Sequence, residues 1–465
     1  MDYMKFTKDI VLDTSWTTAD DRSTTNEDRI ANIIRHDVHF ALDRANNLYY
    51  FSNGVYRENG EGAIAELYYR WLEECQSTRD WRPGRAKHIV ENISSHTKYL
   101  NDRPPLEIIN FKNGLYNWTT GKLYKHTPNY LSTIQIPIIY DPTATCPAWD
   151  EFLSEVLPVN GGPNYLREII GLCMIPFTGL QKCIVLVGGG SNGKSTYLNG
   201  LHAAIGNDNI CNISLHTLTN PSEKFARSGL VGKLVNIFGD MSTKKIEDAA
   251  NFKPLIGEDR ITIEYKGKHP FYYTPFAKLI FSCNEVVKSD DDSEGYKRRF
   301  VHIPFTRRFA VNPKKGLELK DSLSSPKELS GLLNLILPRI PEIVENGLTV
   351  TPEIAGIIDE WCPIPDSTKV WLESMLVEQD GAFLPGSAFY NYYCYNCPCV
   401  EPFERAKLVR YIKNLFPNSI PNTFKKVDGK TFRGYLNIAG KNMDVLDSLR
   451  EHGFMVGHSE EELIN

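Results

Sequence analysis

Apolar positions change period several times along the chain, and each change predicts an element. From Asn26 to Arg44 the residues Ile30, Ile33, Ile34, Val38, Phe40 and Leu42 supply one buried stripe and predict a helix. In Asn47–Arg57, aromatic β-formers flank the turn pair Asn53-Gly54, which predicts a hairpin. Helical patterns return over Gly62–Cys75 and Pro83–His96. Between Leu106 and Pro137, short β-rich runs separated by Asn113-Gly114 and Thr120-Gly121 predict a meander of small strands. A helix is expected from Trp149 to Val156, whereas residues 1–20 carry few apolar anchors and are expected to be flexible.

Beyond residue 180 the predicted strands are apolar runs that end in glycine or a polar side chain: Ile184–Val187, Gly232–Phe238 and Lys278–Asn284. A short helix is expected to end at Gly257. Ile261 and Ile263 then alternate into a turn, Lys266-Gly267-Lys268-His269, and the chain returns through Phe271 and Tyr273 as a hairpin. Leu317–Asn346 reads as helical, ended by prolines at 338 and 341, and Pro352–Cys362 as one more short helix before a Pro-rich linker. The last hundred residues predict helices at Thr368–Val377, Ser387–Cys394 and Glu404–Phe416, then a basic two-stranded hairpin turning at Asp428-Gly429. Three helices and a basic wing suggest a winged helix-turn-helix, with Lys407, Arg410, Lys413, Lys425, Lys426, Lys430 and Arg433 as candidates for phosphate contacts. Ordinary surface lysines are the competing reading.

Length changes this picture first: 465 residues suggest about three domains. A net charge of −5 gives no global basic signature, so any nucleic-acid contact must be local. Ten cysteines without paired spacing fit a reducing compartment. The N-terminus lacks the apolar core of a signal peptide, and the longest apolar run, Ile169–Leu180, is broken by Pro176 and too short to span a bilayer. The expectation is a soluble cytoplasmic protein with no membrane partner. Cys394, Cys397 and Cys399 offer three thiolates with no obvious fourth ligand, so zinc is not expected, and His36 and His39 have no ligand set around them. Residues 289–294 (SDDDSE) are expected to form a mobile surface loop instead of a metal site.

The strongest chemical signal is Cys183–Thr196, CIVLVGGGSNGKST. Gly188, Gly193, Lys194 and Ser195 fit G-x-x-x-x-G-K-[ST] between a strand and a helix. Glycines let backbone N–H groups face phosphate oxygens, and a helix N-terminus adds positive potential. Gly188, Gly189, Gly190, Ser191, Asn192, Gly193, Lys194, Ser195 and Thr196 are therefore the candidate ATP-binding residues, with Lys194 reaching the β- and γ-phosphates and Ser195 ligating Mg²⁺. A glycine-rich strand-to-helix turn is the bland alternative. Asp240 ends a strand expected beside the phosphate-loop strand, the place of a second Mg²⁺ ligand; an Asp that merely begins a turn competes with this.

The stretch INFKNGLYNWTTGKLYKHTPNY with YDPTATCPAWDEFL resembles the segment preceding the ATPase in the phage/plasmid primase-helicase family, related to the poxvirus primase-helicase and to superfamily III helicases. Lys253, Leu255, Gly257, Asp259 and Ile261 resemble that superfamily's K-x-L-x-G-x-D-x-I motif. The resemblance implies an AAA+-like core in a hexameric ring whose hairpin, here Lys266, Lys268 and His269, tracks single-stranded DNA. It also implies a sensor role for Asn284 and an arginine finger at Arg299, with Arg298 as runner-up, supplied to a neighbouring subunit. Related ATPases often carry Glu beside the Mg²⁺-binding Asp, but Met241 follows here, and Glu247 and Glu258 stay unranked as the base.

The expected protein is α/β. It has an α+β collar at 1–155, an AAA+-like phosphate-loop core at 156–310, a helical extension and linker at 311–365, and a winged helix at 366–465. It is expected to be an ATP- and Mg²⁺-dependent DNA helicase of a phage, plasmid or mobile element, working in a bacterial host cytoplasm with a separate primase or initiator. No primase catalytic domain precedes the collar, so the chain alone is not expected to make primers. Rival readings are a site-specific initiator or DNA-remodelling ATPase without processive unwinding, and a phosphate-loop kinase for a small metabolite.

Overall fold

The computed structural model describes residues 26–241, 251–284, 299–310, 312–361, 366–397, 405–427 and 430–441, with positions 10, 12 and 403. Expectations that rest on most of 1–20, Glu247, residues 289–294, Arg298, Cys362, Cys399 and the Asp428-Gly429 turn lie outside the described residues.

Asn26 caps α1 (Glu27–Asp37), its side-chain oxygen accepting from the amides of Asp28 and Arg29. The expected continuation of this helix to Arg44 is replaced by β1 (Phe40–Leu42), with Val38 already extended. All three β1 side chains are buried, because the strand pairs on both edges. An inside strand shows no alternation, so its apolar run reads like the tail of an amphipathic helix. β2 (Leu48–Ser52) and β3 (Val55–Arg57) form the expected hairpin, with Asn53 and Gly54 at φ 51° and 83° as a type I′ turn requires. α2 (Gly60–Glu74) and α3 (Pro83–Ser95) cover this sheet around Ile34, Leu67, Trp71 and Ile89, and β4 (Lys98–Tyr99) completes the order β3-β2-β1-β4. The expected meander is β5 (Ile108–Phe111), β6 (Gly114–Asn117) and β7 (Lys122–Tyr124).

After α4 (Pro147–Val156) and α5 (Gly162–Met174) the chain enters a parallel sheet. Its members are β8 (Cys183–Val187), β9 (Ile210–Cys211), β10 (Val235–Phe238), β13 (Lys278–Cys283) and β14 (Phe300–Pro304), in the order β14-β8-β13-β10-β9. α6 (Lys194–Ile205) and α7 (Leu215–Thr219) intervene, as do α8 (Lys253–Ile256) and the antiparallel pair β11 (Ile261–Ile263) and β12 (Phe271–Tyr273). The strand bearing Asp240 is therefore not beside the phosphate-loop strand, as expected, but one place further out. β13 separates them, and its six residues are buried throughout, the pattern of an inside strand.

The helical stretch expected at Leu317–Asn346 is divided into α9 (Pro313–Leu323), α10 (Pro326–Ile336) and α11 (Ile340–Asn346). Its prolines open elements where the expectation had them end one: each helix carries a proline in its first two positions, where a missing N–H costs nothing. Glu328 of α10 accepts the amides of Ala148 (3.1 Å) and Trp149 (3.2 Å), so a carboxylate 180 residues downstream caps α4. Trp149 Nε1 donates to Leu323 O at 3.0 Å. Gly331 meets the backbone of Thr145 and Cys146 so closely that a Cβ there would overlap the Thr145 carbonyl. Gly331→Ala is expected to cost about 1–3 kcal/mol, because backbone cannot rotate away as a side chain can. Urea unfolding would show a lowered midpoint; an unchanged midpoint would mean that α10 shifts freely.

The described residues form two compact units, the second beginning at Ala355, within α12 (Pro352–Trp361). The second unit runs α13 (Asp366–Met375), β15 (Leu376–Pro385), α14 (Gly386–Asn396), α15 (Arg405–Leu415), β16 (Ile420–Val427) and β17 (Lys430–Gly440). Leu372, Phe389, Leu408, Ile412 and Ile438 build its core. The expected two-stranded wing is a three-stranded sheet, β15-β17-β16. β15 escapes a sequence reading because Glu378-Gln-Asp-Gly381 interrupts it, and pairing shifts register between Glu378 and Phe383. Several candidate DNA contacts are tied down internally. Lys413 donates to the carbonyls of Pro417 and Ser419 (2.6 Å each), Arg410 to Gly356 O (3.0 Å), and Arg433 to Asn422 Oδ1 (2.9 Å). Cys394 is exposed, and among the described residues no three His, Cys, Asp or Glu side chains converge. Nor is any described helix long and apolar enough to cross a membrane.

Candidate nucleotide site

β8 delivers the chain into a loop where Gly190, Ser191 and Gly193 take φ of 96°, 48° and 91°. Gly188 packs against the Asn192 amide and the Phe305 carbonyl with no room for a Cβ. The buried Asn192 donates from Nδ2 to Phe305 O (2.9 Å) and accepts from Lys194 Nζ at Oδ1 (3.2 Å). Lys194 Nζ also donates to Gly188 O, so the ammonium lies folded against its own loop. Burial lowers the Lys194 pKa; Cys283 and the Asp240 carboxylate oppose that shift, which places Asp240 within electrostatic reach of the amine. Ser195 and Gly189 are exposed, and Thr196 is half-buried. The first amides of α6 have no acceptor within their own helix, so this end of the helix presents donors and positive potential.

The neighbouring strands end at the same edge. Register pairs Val187 with Cys283 and Phe281 with Phe238, so Asn284 and Asp240 emerge alongside the loop, and both are exposed. Asp240 takes φ 55°, its amide donating to Ser282 Oγ at 3.3 Å. Met241 turns inward, 3% exposed, with its amide on Ser282 O (2.7 Å). A glutamate at 241 would enter the core, which accounts for the missing acidic neighbour. Glu258 belongs elsewhere: it pairs with Arg103 (3.5 Å) and approaches Thr178 (3.4 Å), in segments that lead toward the opposite ends of the strands.

Arg299 also lies at that opposite edge. Its carbonyl accepts the Cys183 amide (2.6 Å), where β8 begins. The five residues of β14 separate it from the loop by roughly 17 Å at about 3.3 Å each. Lys194, Asp240 and Asn284 therefore share one edge, and Arg299 does not. Past β14 the chain straps across the loop, with Phe305 N on Val187 O and Phe309 N on Ser191 O, both 2.8 Å. Arg307 on this strap pairs with Glu155 (3.2 Å) and lies over the Phe309 ring. Arg308 is exposed, with Nη2 3.6 Å from where a Cβ on Gly189 would stand. The sequence reading passed over this arginine pair; its signal was two cations directly after the last sheet strand, followed by an aromatic anchor.

β11 and β12 pair Ile261 with Tyr273 and project Lys266, Lys268 and His269, all exposed. Lys268 Nζ reaches Ala45 O (3.2 Å), so the hairpin tip touches the loop after β1.

Residues 29–158 match the family described as "D5 N terminal like", and residues 186–299 match a family of unknown function, DUF5906. The "Putative helicase L207/L206" of Acanthamoeba polyphaga mimivirus is 26% identical over 223 residues, covering 46% of this chain and 23% of that protein. The "Putative helicase 121R" of Invertebrate iridescent virus 3 is 27% identical over 233 residues, covering 46% and 24%. Together these matches support a likeness to phage and viral primase-helicase-like proteins. It spans about a quarter of the length of the curated relatives it matches. Apo structures of the NrS-1 C-terminal region are similar to it at 13% identity, covering 88% of this chain and 98% of the other (TM-score 0.42). Another, of residues 305–718, covers 84% and 87% at 12% identity (TM-score 0.45), too loose a likeness to carry an argument.

Proposed function

We propose that the chain is an ATP-driven DNA helicase of superfamily III type, an AAA+-like ring that translocates on single-stranded DNA. The observation that carries this reading is the split of the site: Lys194, Asp240 and Asn284 on one edge of the sheet, Arg299 on the other. A site so divided is completed when a second copy presents its Arg299 to the first copy's loop, which repetition of one interface closes into a ring. The order β14-β8-β13-β10-β9, with β13 inserted between β8 and β10, supports an AAA+-like core. The order helix, strand, helix, helix, strand, strand in the second unit supports a winged helix.

In this reading, triphosphate oxygens replace the Gly188 and Asn192 acceptors of Lys194, and the α6 amides bind the same phosphates. The donor set suits Mg²⁺, because Ser195 and Asp240 are exposed oxygen ligands of which only one is acidic, and phosphates and water complete such a site. Bound Mg²⁺ would neutralise charge on the β- and γ-phosphates. Asn284 orients the attacking water or the γ-phosphate, and Arg299 of a second copy stabilises the charge of the transition state. Lys266, Lys268 and His269 carry the strand. ATP turnover with and without single-stranded DNA tests this directly. DNA is expected to stimulate the wild type, Lys194→Ala to lose roughly 10²–10³-fold, and the Lys266→Ala/His269→Ala double variant to lose the stimulation. Turnover indifferent to DNA in the wild type would sink the translocase reading.

A further inference from the structure

We propose that Arg308 binds the phosphates of the nucleotide held by its own subunit, as a second cation beside Lys194. The inference rests on the nucleotide reading above. The strap that carries Arg308 is fixed to the loop at both ends, by Phe305 N on Val187 O and by Phe309 N on Ser191 O. Asn192 ties down its start a second time through Phe305 O. Between these anchors stand two arginines with different surroundings. Arg307 is engaged by Glu155 and by the Phe309 ring. Arg308 is exposed at the rim of the loop over Gly189, and its guanidinium has no hydrogen-bond or ion-pair partner among the described residues. Phosphate oxygens cradled by the loop amides would lie within the reach of such a fork, which suits phosphate better than any other side chain. Position also separates its task from that of Arg299. Arg299 stands at the far end of β14 and reaches a nucleotide only in another copy, whereas Arg308 belongs to the loop it serves.

The test is titration of a fluorescent ADP and a fluorescent non-hydrolysable ATP analogue, with Mg²⁺, into the full chain at subunit concentrations too low for assembly. Arg308→Ala is expected to weaken binding roughly 10- to 100-fold, the span of a charge-assisted hydrogen bond. Arg308→Lys should recover part of the loss, and raised salt should narrow the gap from the wild type. Unfolding midpoints without nucleotide should coincide for wild type and Arg308→Ala, which separates a lost ligand contact from a damaged loop. Wild-type affinity in Arg308→Ala overturns the inference and leaves the nucleotide reading standing. A wild type that binds neither nucleotide overturns both.

Discussion

Equimolar Lys194→Ala and Arg299→Ala subunits, each nearly inactive alone, are expected to recover up to about a quarter of wild-type ATP turnover when mixed. Arg299→Ala by itself should lose about 10³–10⁵-fold in kcat, the usual worth of an arginine supplied in trans. The recovery follows from which parts share an edge. A subunit with Arg299 replaced keeps an intact loop, and one with Lys194 replaced keeps an intact arginine at its other edge. Random assembly pairs the two intact halves at about one interface in four, and those interfaces turn over. The measurement is steady-state phosphate release after co-assembly has been verified by light scattering. Mixed assemblies as inactive as their components would place Arg299 outside the hydrolytic site. An Arg299→Ala chain with wild-type turnover would do the same.

Lys278→Met should remove a pH dependence from stability. Lys278 is buried at the start of β13, its ammonium donating to Ile175 O, at the C-terminal end of α5, and to Phe276 O (3.3 Å). Burial lowers its pKa to about 7, against the pull of the Cys173 thiol and with help from Arg103. The unfolded chain keeps this amine protonated up to about pH 10, near the ordinary value for a lysine side chain. Between pH 7 and 10 the unfolded state therefore binds the extra proton, and wild-type stability gains roughly 1 kcal/mol per pH unit from this group as pH rises. Below pH 7 both states are protonated and the contribution is flat. Methionine has no such term. The stability difference, wild type minus variant, should climb across that window in urea unfolding series, and subtraction cancels the other titrating groups. A difference that stays level from pH 7 to 9 would refute the assignment.

The elements around the candidate site were legible because they are local. The loop, the short helix ending at Gly257, the 261–273 hairpin and the Asn53-Gly54 turn each depend on neighbours within a few residues. What escaped depends on partners far along the chain. Phe40–Leu42 became a strand because Lys98–Tyr99 pairs with it, nearly sixty residues away. β15 formed despite its charged centre because β17 offered a partner. The insertion of β13 between β8 and β10 buries all six of its residues, and no periodicity reveals that order. The edge taken by Glu258, and the place of Arg308 over Gly189, follow in turn from that arrangement.

The cap that Glu328 supplies to α4 sets a timetable for synthesis. The first amides of α4 gain their carboxylate only after another 180 residues have been made, and α10 must then close its backbone onto Thr145 through Gly331. α4 in turn supplies Val156, which packs against Gly193 of the loop. A nascent chain stalled before residue 328 carries the whole glycine-rich motif without the brace that backs it, so it is expected to bind nucleotide poorly on the ribosome.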